Sequence, residues 1–140
     1  MAAHPLQAVP IHPLHAFLVA APVPLFLGGL LSDWAYGSTP EPQWSNFAAW
    51  LIAGGMVFVG FALLWALIAL LRSRGGRGRA ASLFGLLLAL FVLGLVDSFV
   101  HARDAYAIMP AAPILSAIVT LLAGAAAWLG FAGLRSGEMK

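Results

Sequence analysis

Apolar positions in this chain run together and charged positions are bunched: no Asp, Glu, Lys or Arg interrupts residues 1–32, 42–71, 80–96 or 105–134. Even the shortest of these runs reaches the lower bound of about 17 residues for a membrane-crossing helix. The pattern therefore predicts four transmembrane helices, at about 13–36, 46–71, 80–102 and 112–134. Turn chemistry separates them. Pro13 suits a first helical position, where its missing N–H costs nothing. Gly37 to Trp44 (GSTPEPQW) collects turn-formers, after which Ser45 or Asn46 can cap the second helix. Arg72 to Arg79 (RSRGGRGR) reads as a short basic turn. The third helix follows from Ala80 and carries polar groups in its last turns, up to about Asp104. Pro110 and Pro113 start the fourth. With no internal repeat and only short connections, residues 1–140 read as a single transmembrane domain. The expected fold is all-α: an integral membrane four-helix bundle, up-down-up-down.

Composition narrows the function classes. Charged residues make up 9% of the chain and apolar ones 62%, against about 25% charged in a soluble domain. The absence of cysteine excludes disulfides, thiolate metal sites and a cysteine nucleophile. A net charge of +2, confined to a few turns, argues against nucleic acid as a partner. No nucleophile stands beside a base on a recognisable turn, so catalysis by this chain itself is not expected.

Cation placement predicts direction. Arg72, Arg74, Arg77, Arg79, Arg135 and Lys140 fall on one side, against Arg103 on the other. Both termini are accordingly expected in the cytoplasm. The RGGRGR turn needs no further explanation than this rule. The opposite face gathers Trp34, Tyr36, Trp44, Trp50 and Tyr106, aromatic residues suited to the headgroup layer. Residues 1–14 contain no Lys or Arg, so the first helix is expected to be retained rather than cleaved as a signal peptide. Gly54, Gly55 and Gly60 on the second helix, and Ser116, Thr120 and Gly124 on the fourth, form small-residue stripes for close packing within the bundle or, alternatively, for a homo-oligomer face.

Ionisable side chains in a span are costly and need partners. Asp97, His101 and Asp104 point within about 60° of one another on the third helix, while Arg103 points away. Asp97 lies about 26 Å along its helix and Asp33 about 30 Å along the first, which puts both near the outer interface. Asp33 is thus the acid from another helix that can join Asp97, His101 and Asp104. Three readings of this set stay open. It is a structural hydrogen-bond network, a divalent-cation site, or a place where a quinone head group exchanges hydrogen bonds and protons. His12 and His15 form a second cluster at the cytoplasmic entrance, followed by Pro22 and Pro24, which free the carbonyls of Leu18 and Ala20 for a neighbouring helix, water or ligand; it reads as a proline kink with interfacial histidines or, alternatively, as a place for a quinone or lipid head group. A bis-histidine haem b is disfavoured within one chain, because His12 and His15 lie most of a bilayer away from His101.

The run IHPLHAFLVAAPVPLF with Asp33, and the later stretch GLVDSFVHARDAYAIMP followed by LSA, resemble an uncharacterised family of bacterial four-helix membrane proteins classed as a domain of unknown function. The likeness covers roughly Ile11 to Gly133. Its most specific parts are His12-Pro13, Pro22, Asp33 and His101 to Asp104. The chain departs from the family pattern at Tyr106, where tryptophan is usual, and at Pro113, where glycine is. Proteins of that family look like small accessory membrane proteins, some joined to Rieske-type ferredoxin domains or encoded near quinoprotein sugar dehydrogenases, and the resemblance implies the same for this chain. The resemblance implies a redox setting and assigns no activity.

Together these readings lead us to expect a small accessory subunit of a bacterial inner membrane. Lipid and other membrane or periplasmic redox proteins are its expected partners, and quinone its candidate ligand, at Asp33, Asp97, His101 and Asp104 or at His12 and His15. A purely structural subunit of a larger complex is the alternative. A transporter is disfavoured, because no charged residue lies near the midplane.

Overall fold

A computed structural model describes residues 12–73, 77–103 and 105–135 of the chain. The helices are α1 (Pro13–Ala20), α2 (Pro22–Ser38), α3 (Pro42–Arg72), α4 (Arg77–His101) and α5 (Ala111–Arg135), with a 3-10 turn at Ala105–Ile108. No strand occurs among the described residues. Four stretches are long and apolar enough to span a membrane: Pro13–Ser38, Pro42–Arg72, Arg77–His101 and Ala111–Ala132. Only 22–33% of the most apolar part of each is buried inside the bundle, so the remainder needs a hydrocarbon solvent.

Proline sets the helix starts. α1 and α2 form one span, since Ala21 keeps helical dihedrals (φ −58°, ψ −36°) and donates to the Phe17 carbonyl at 2.9 Å. The break falls at Pro22, which has no N–H to offer the carbonyl of Leu18. The second span begins at Pro42, earlier than a Ser45 or Asn46 cap would place it. Glu41 is extended (φ −87°, ψ 118°) and its carbonyl accepts from Trp44 N at 3.0 Å, so the pre-set proline dihedral nucleates the helix and Ser45 and Asn46 fall inside it. α4 also starts early, at Arg77, whose Nε donates to the Ser73 carbonyl at 3.0 Å. It ends at His101 rather than near Asp104, closed by Arg103 N donating to Val100 O at 3.1 Å.

Side-chain contacts fix the register. Gly29 meets Ile52 and Gly55 meets Phe26, so α2 and α3 run antiparallel; Gly60 with Phe91 and Gly94 with Met56 give the same relation for α3 and α4. α5 packs on α4 and closes back on α2. The main core, with Phe26, Ile52, Val59, Leu87, Leu90 and Val119 each at most 1% exposed, fills the centre. A Cβ at Gly55 would stand 2.8 Å from the buried Phe26 ring, so only glycine permits this approach. Gly124 differs: nothing lies within 4 Å of where its Cβ would be, and that part of the predicted stripe is not a tight contact. A smaller apolar cluster of Tyr36, Val100, Ile108 and Ala112 covers one end of the bundle.

Candidate functional site

Between the main core and that smaller cluster lies a polar group drawn from three helices. Asp33 stands five residues before the end of α2, Asp97 four before the end of α4 and Ser116 five into α5, each about 6–8 Å inside its helix end. Antiparallel packing brings these matched depths together. Asp33, Asp97 and Ser116 are fully buried and His101 is 8% exposed. His101 Nε2 is 2.8 Å from Asp33 Oδ1, and Ser116 Oγ donates to Asp33 Oδ2 at 2.5 Å. Both carboxylate oxygens of Asp33 are thus satisfied by side chains on other helices.

Hydrogen accounting defines what the group can do. His101 Nδ1 lies 2.9 Å from the Asp97 carbonyl oxygen, which can only accept, so Nδ1 carries a hydrogen. The bond from Nε2 to Asp33 then holds one further hydrogen, on nitrogen or on oxygen. Ser116 has a single hydroxyl hydrogen, and it goes to Asp33. Asp97 is consequently the least satisfied member. Its Oδ1 is 3.2 Å from His101 Nδ1 yet makes no hydrogen bond, because the ring hydrogen points at the backbone carbonyl, and its Oδ2 is 3.4 Å from Ser116 Oγ. A proton on Asp97 Oδ2 would turn that last contact into a donor–acceptor pair. The arrangement can hold a proton at more than one atom and share it across helices.

Asp33, Asp97 and His101 thus meet, as their matched depths along the helices predict. Asp104 lies outside the described residues. Ser116 was assigned to a packing stripe, and the structure makes it a hydrogen-bonding member of the group. Its signal was its depth alone, one turn and a half into the fourth helix. Tyr36, expected in the aromatic belt, is 3% exposed instead; three residues after Asp33, it lies over the site with Val100, Ile108 and Ala112. Trp34 and Trp50 do face outward, at 71% and 78% exposure, and Arg103 is exposed. An open groove of about 330 Å³ has Asp33 in its wall, together with Leu30, Trp34, Met109 and Pro113.

His12 and His15 lie at the other end, apart from this group. Their rings pack on Trp65, with centroids at 5.3 Å and 5.6 Å, and His12 Nδ1 caps α1 by accepting from Leu14 N at 3.3 Å. His15 Nδ1 is buried without a hydrogen-bond partner among the described residues. No group of three or more His, Asp or Glu among the described residues has an arrangement suited to a metal ion.

The family model for predicted membrane proteins designated DUF2231 matches residues 11–133, nearly the whole of the described chain. The chain belongs to that family. No curated protein and no solved structure matches it. Membership and the four candidate spans agree on a multi-pass membrane protein. In this DUF2231 chain the matched region contains every member of the buried polar group.

Proposed function

We propose that this protein is a non-catalytic accessory subunit that binds the head group of a lipid-soluble quinone beside Asp33 and docks a redox partner on the same face. One observation carries the reading: Asp33 belongs both to the wall of an open groove and to the buried chain of Asp33, His101 and Asp97. At about 330 Å³ the groove is at the low end for small-molecule sites, large enough for a substituted ring whose isoprenoid tail stays in lipid. Asp33 is fully buried and both its oxygens are paired, so a quinol hydroxyl donates to its carboxylate by displacing the Ser116 hydroxyl, with His101 and Asp97 behind it as further places for a proton. The exposed Trp34 and Trp50 and the exposed Arg103 offer the docking rim. The asymmetry of six cations against one supports placing this rim on the periplasmic side of a bacterial inner membrane, with both termini cytoplasmic. An alkaline phosphatase fused after Lys140 should then be inactive, and an active fusion would reverse the orientation.

Trp34 provides the readout for the site. Titrating the full chain in lipid nanodiscs with a short-chain benzoquinone should quench tryptophan fluorescence saturably. Trp34→Phe should remove much of that signal, and Asp33→Asn should weaken the apparent affinity by about tenfold, the value of one good hydrogen bond. Quenching that rises without saturation, or that neither substitution alters, would sink the proposal. The second reading, a purely structural clasp, is supported by the internal satisfaction of both Asp33 oxygens. Under it, Asp33→Asn lowers the unfolding temperature and leaves quenching unchanged.

A further inference from the structure

We infer that the opposite end of the bundle holds the head group of an anionic phospholipid against Trp65 and Arg72. Among the described residues, the last two turns of α3 continue beyond the start of α1 and line an open groove of about 410 Å³ with Trp65, Ile68, Ala69 and Arg72. Their spacing puts all four on one helix face. From Trp65 to Arg72 is about 10 Å along the axis, more than the roughly 5–7.5 Å headgroup region of one leaflet, so the groove runs from the outer acyl carbons to the phosphate layer.

Each lining residue has a place in such a site. Trp65 is held by His15, stacked at 21°, and by the tilted ring of His12, so its indole is fixed at the edge of the groove. Ile68 and Ala69 offer apolar surface for the first carbons of an acyl chain. Arg72 is exposed and has no hydrogen bond or ion pair with any described residue. Among the described residues the next two arginines are committed: Arg77 donates to the Ser73 carbonyl at 3.0 Å, and Arg79 donates to the Leu129 carbonyl at 2.7 Å; Arg74 lies outside the described residues. Arg72 therefore keeps its full guanidinium fork, the group best shaped for a phosphate. His12 adds a donor at the Trp65 end, outside the groove lining. Because its Nδ1 accepts from Leu14 N, the hydrogen of the neutral ring sits on Nε2, on a residue exposed beside Trp65. No carboxylate lines this groove among the described residues, so nothing there favours the ammonium of a zwitterionic head group. Charge complementarity selects an anionic lipid.

Full-length protein in phosphatidylcholine nanodiscs, doped with phosphatidylglycerol, tests the inference when either lipid carries brominated acyl chains that quench nearby tryptophan. Brominated phosphatidylglycerol should quench more than brominated phosphatidylcholine at equal mole fraction, and Trp65→Phe should abolish the difference. Arg72→Gln should reduce the preference about fivefold, the effect of one basic residue at a membrane surface. Arg77→Gln should leave it unchanged. Equal quenching by the two lipids would overturn the site. A loss with Arg77→Gln as large as that with Arg72→Gln would also overturn it, because it would mean a diffuse surface charge.

Discussion

At the Asp33 end, an imidazole, two carboxyls and a hydroxyl from three helices meet at 2.5–3.4 Å in a space closed from both sides by apolar side chains. At the Trp65 end, two imidazoles lie on an indole and the nearest guanidinium faces outward without a partner among the described residues. Both ends began as polar residues close to a membrane interface. They differ in whether neighbouring helices extend past them. α2 and α5 each extend more than one turn past Asp33 and Ser116, and α4 ends on His101 itself beneath Val100 and Ile108, so the group's polar atoms must satisfy one another. α1 starts level with Trp65, and beyond it Arg72 is exposed with no partner among the described residues. Burial forces internal pairing, and exposure leaves valences for an external partner.

The sharpest way to break this contrast is His101→Ala. It removes the Nε2 donor from Asp33 and leaves a buried carboxyl short of a partner. The bundle should lose about 3 kcal/mol, the lower range for removing one member of a buried pair, measured by denaturation followed by circular dichroism in detergent. Asp33→Leu combined with His101→Leu should be less destabilising than His101→Ala alone, since Asp33 is then no longer left buried without its imidazole partner and Asp97 is equally unpaired in both variants. A double variant worse than the single one would mean that packing, not pairing, holds this end.

Ser116→Ala should have an intermediate effect of about 1 kcal/mol, as expected for a single interhelical hydrogen bond in a membrane protein. The same denaturation assay measures it, and a loss no larger than that of Thr120→Ala would remove Ser116 from the group. At the opposite end, His12→Ala deletes an exposed cap whose bond is 3.3 Å long. It should cost about 0.5 kcal/mol or less. A loss approaching that of His101→Ala would erase the distinction between the two ends.

Much of the site was legible because acids and histidines in apolar spans are conspicuous. Residue counts at 1.5 Å per residue were enough to place Asp33, Asp97 and His101 at one depth. Ser116 was not legible. A hydroxyl in a transmembrane helix is ordinarily satisfied by the carbonyl four residues earlier, as Ser32, Ser98 and Thr120 are, so it carries no visible debt. Ser116 departs from them because antiparallel packing brings a carboxylate within reach, and a bond to an acid is stronger than one to a carbonyl. Tyr36 misled for a related reason. An aromatic residue near a span end suits the headgroup layer, but the 3-10 turn at Ala105–Ile108 brings Ile108 over the site and gives Tyr36 an apolar seat inside.

The sequence by itself determined the number of candidate spans, the approximate positions of their ends and the matched depth of Asp33, Asp97 and His101. Those properties are one-dimensional: they depend on hydropathy, proline and the fixed rise of a helix. Only the tertiary structure decided which faces meet. It turned Ser116 towards Asp33, enclosed Tyr36, left Gly124 without a close contact and separated an unpaired Arg72 from its committed neighbours Arg77 and Arg79. Helix rotation and interhelical register set these outcomes, and in spans that are apolar nearly all round the hydrophobic pattern does not single out one face to bury.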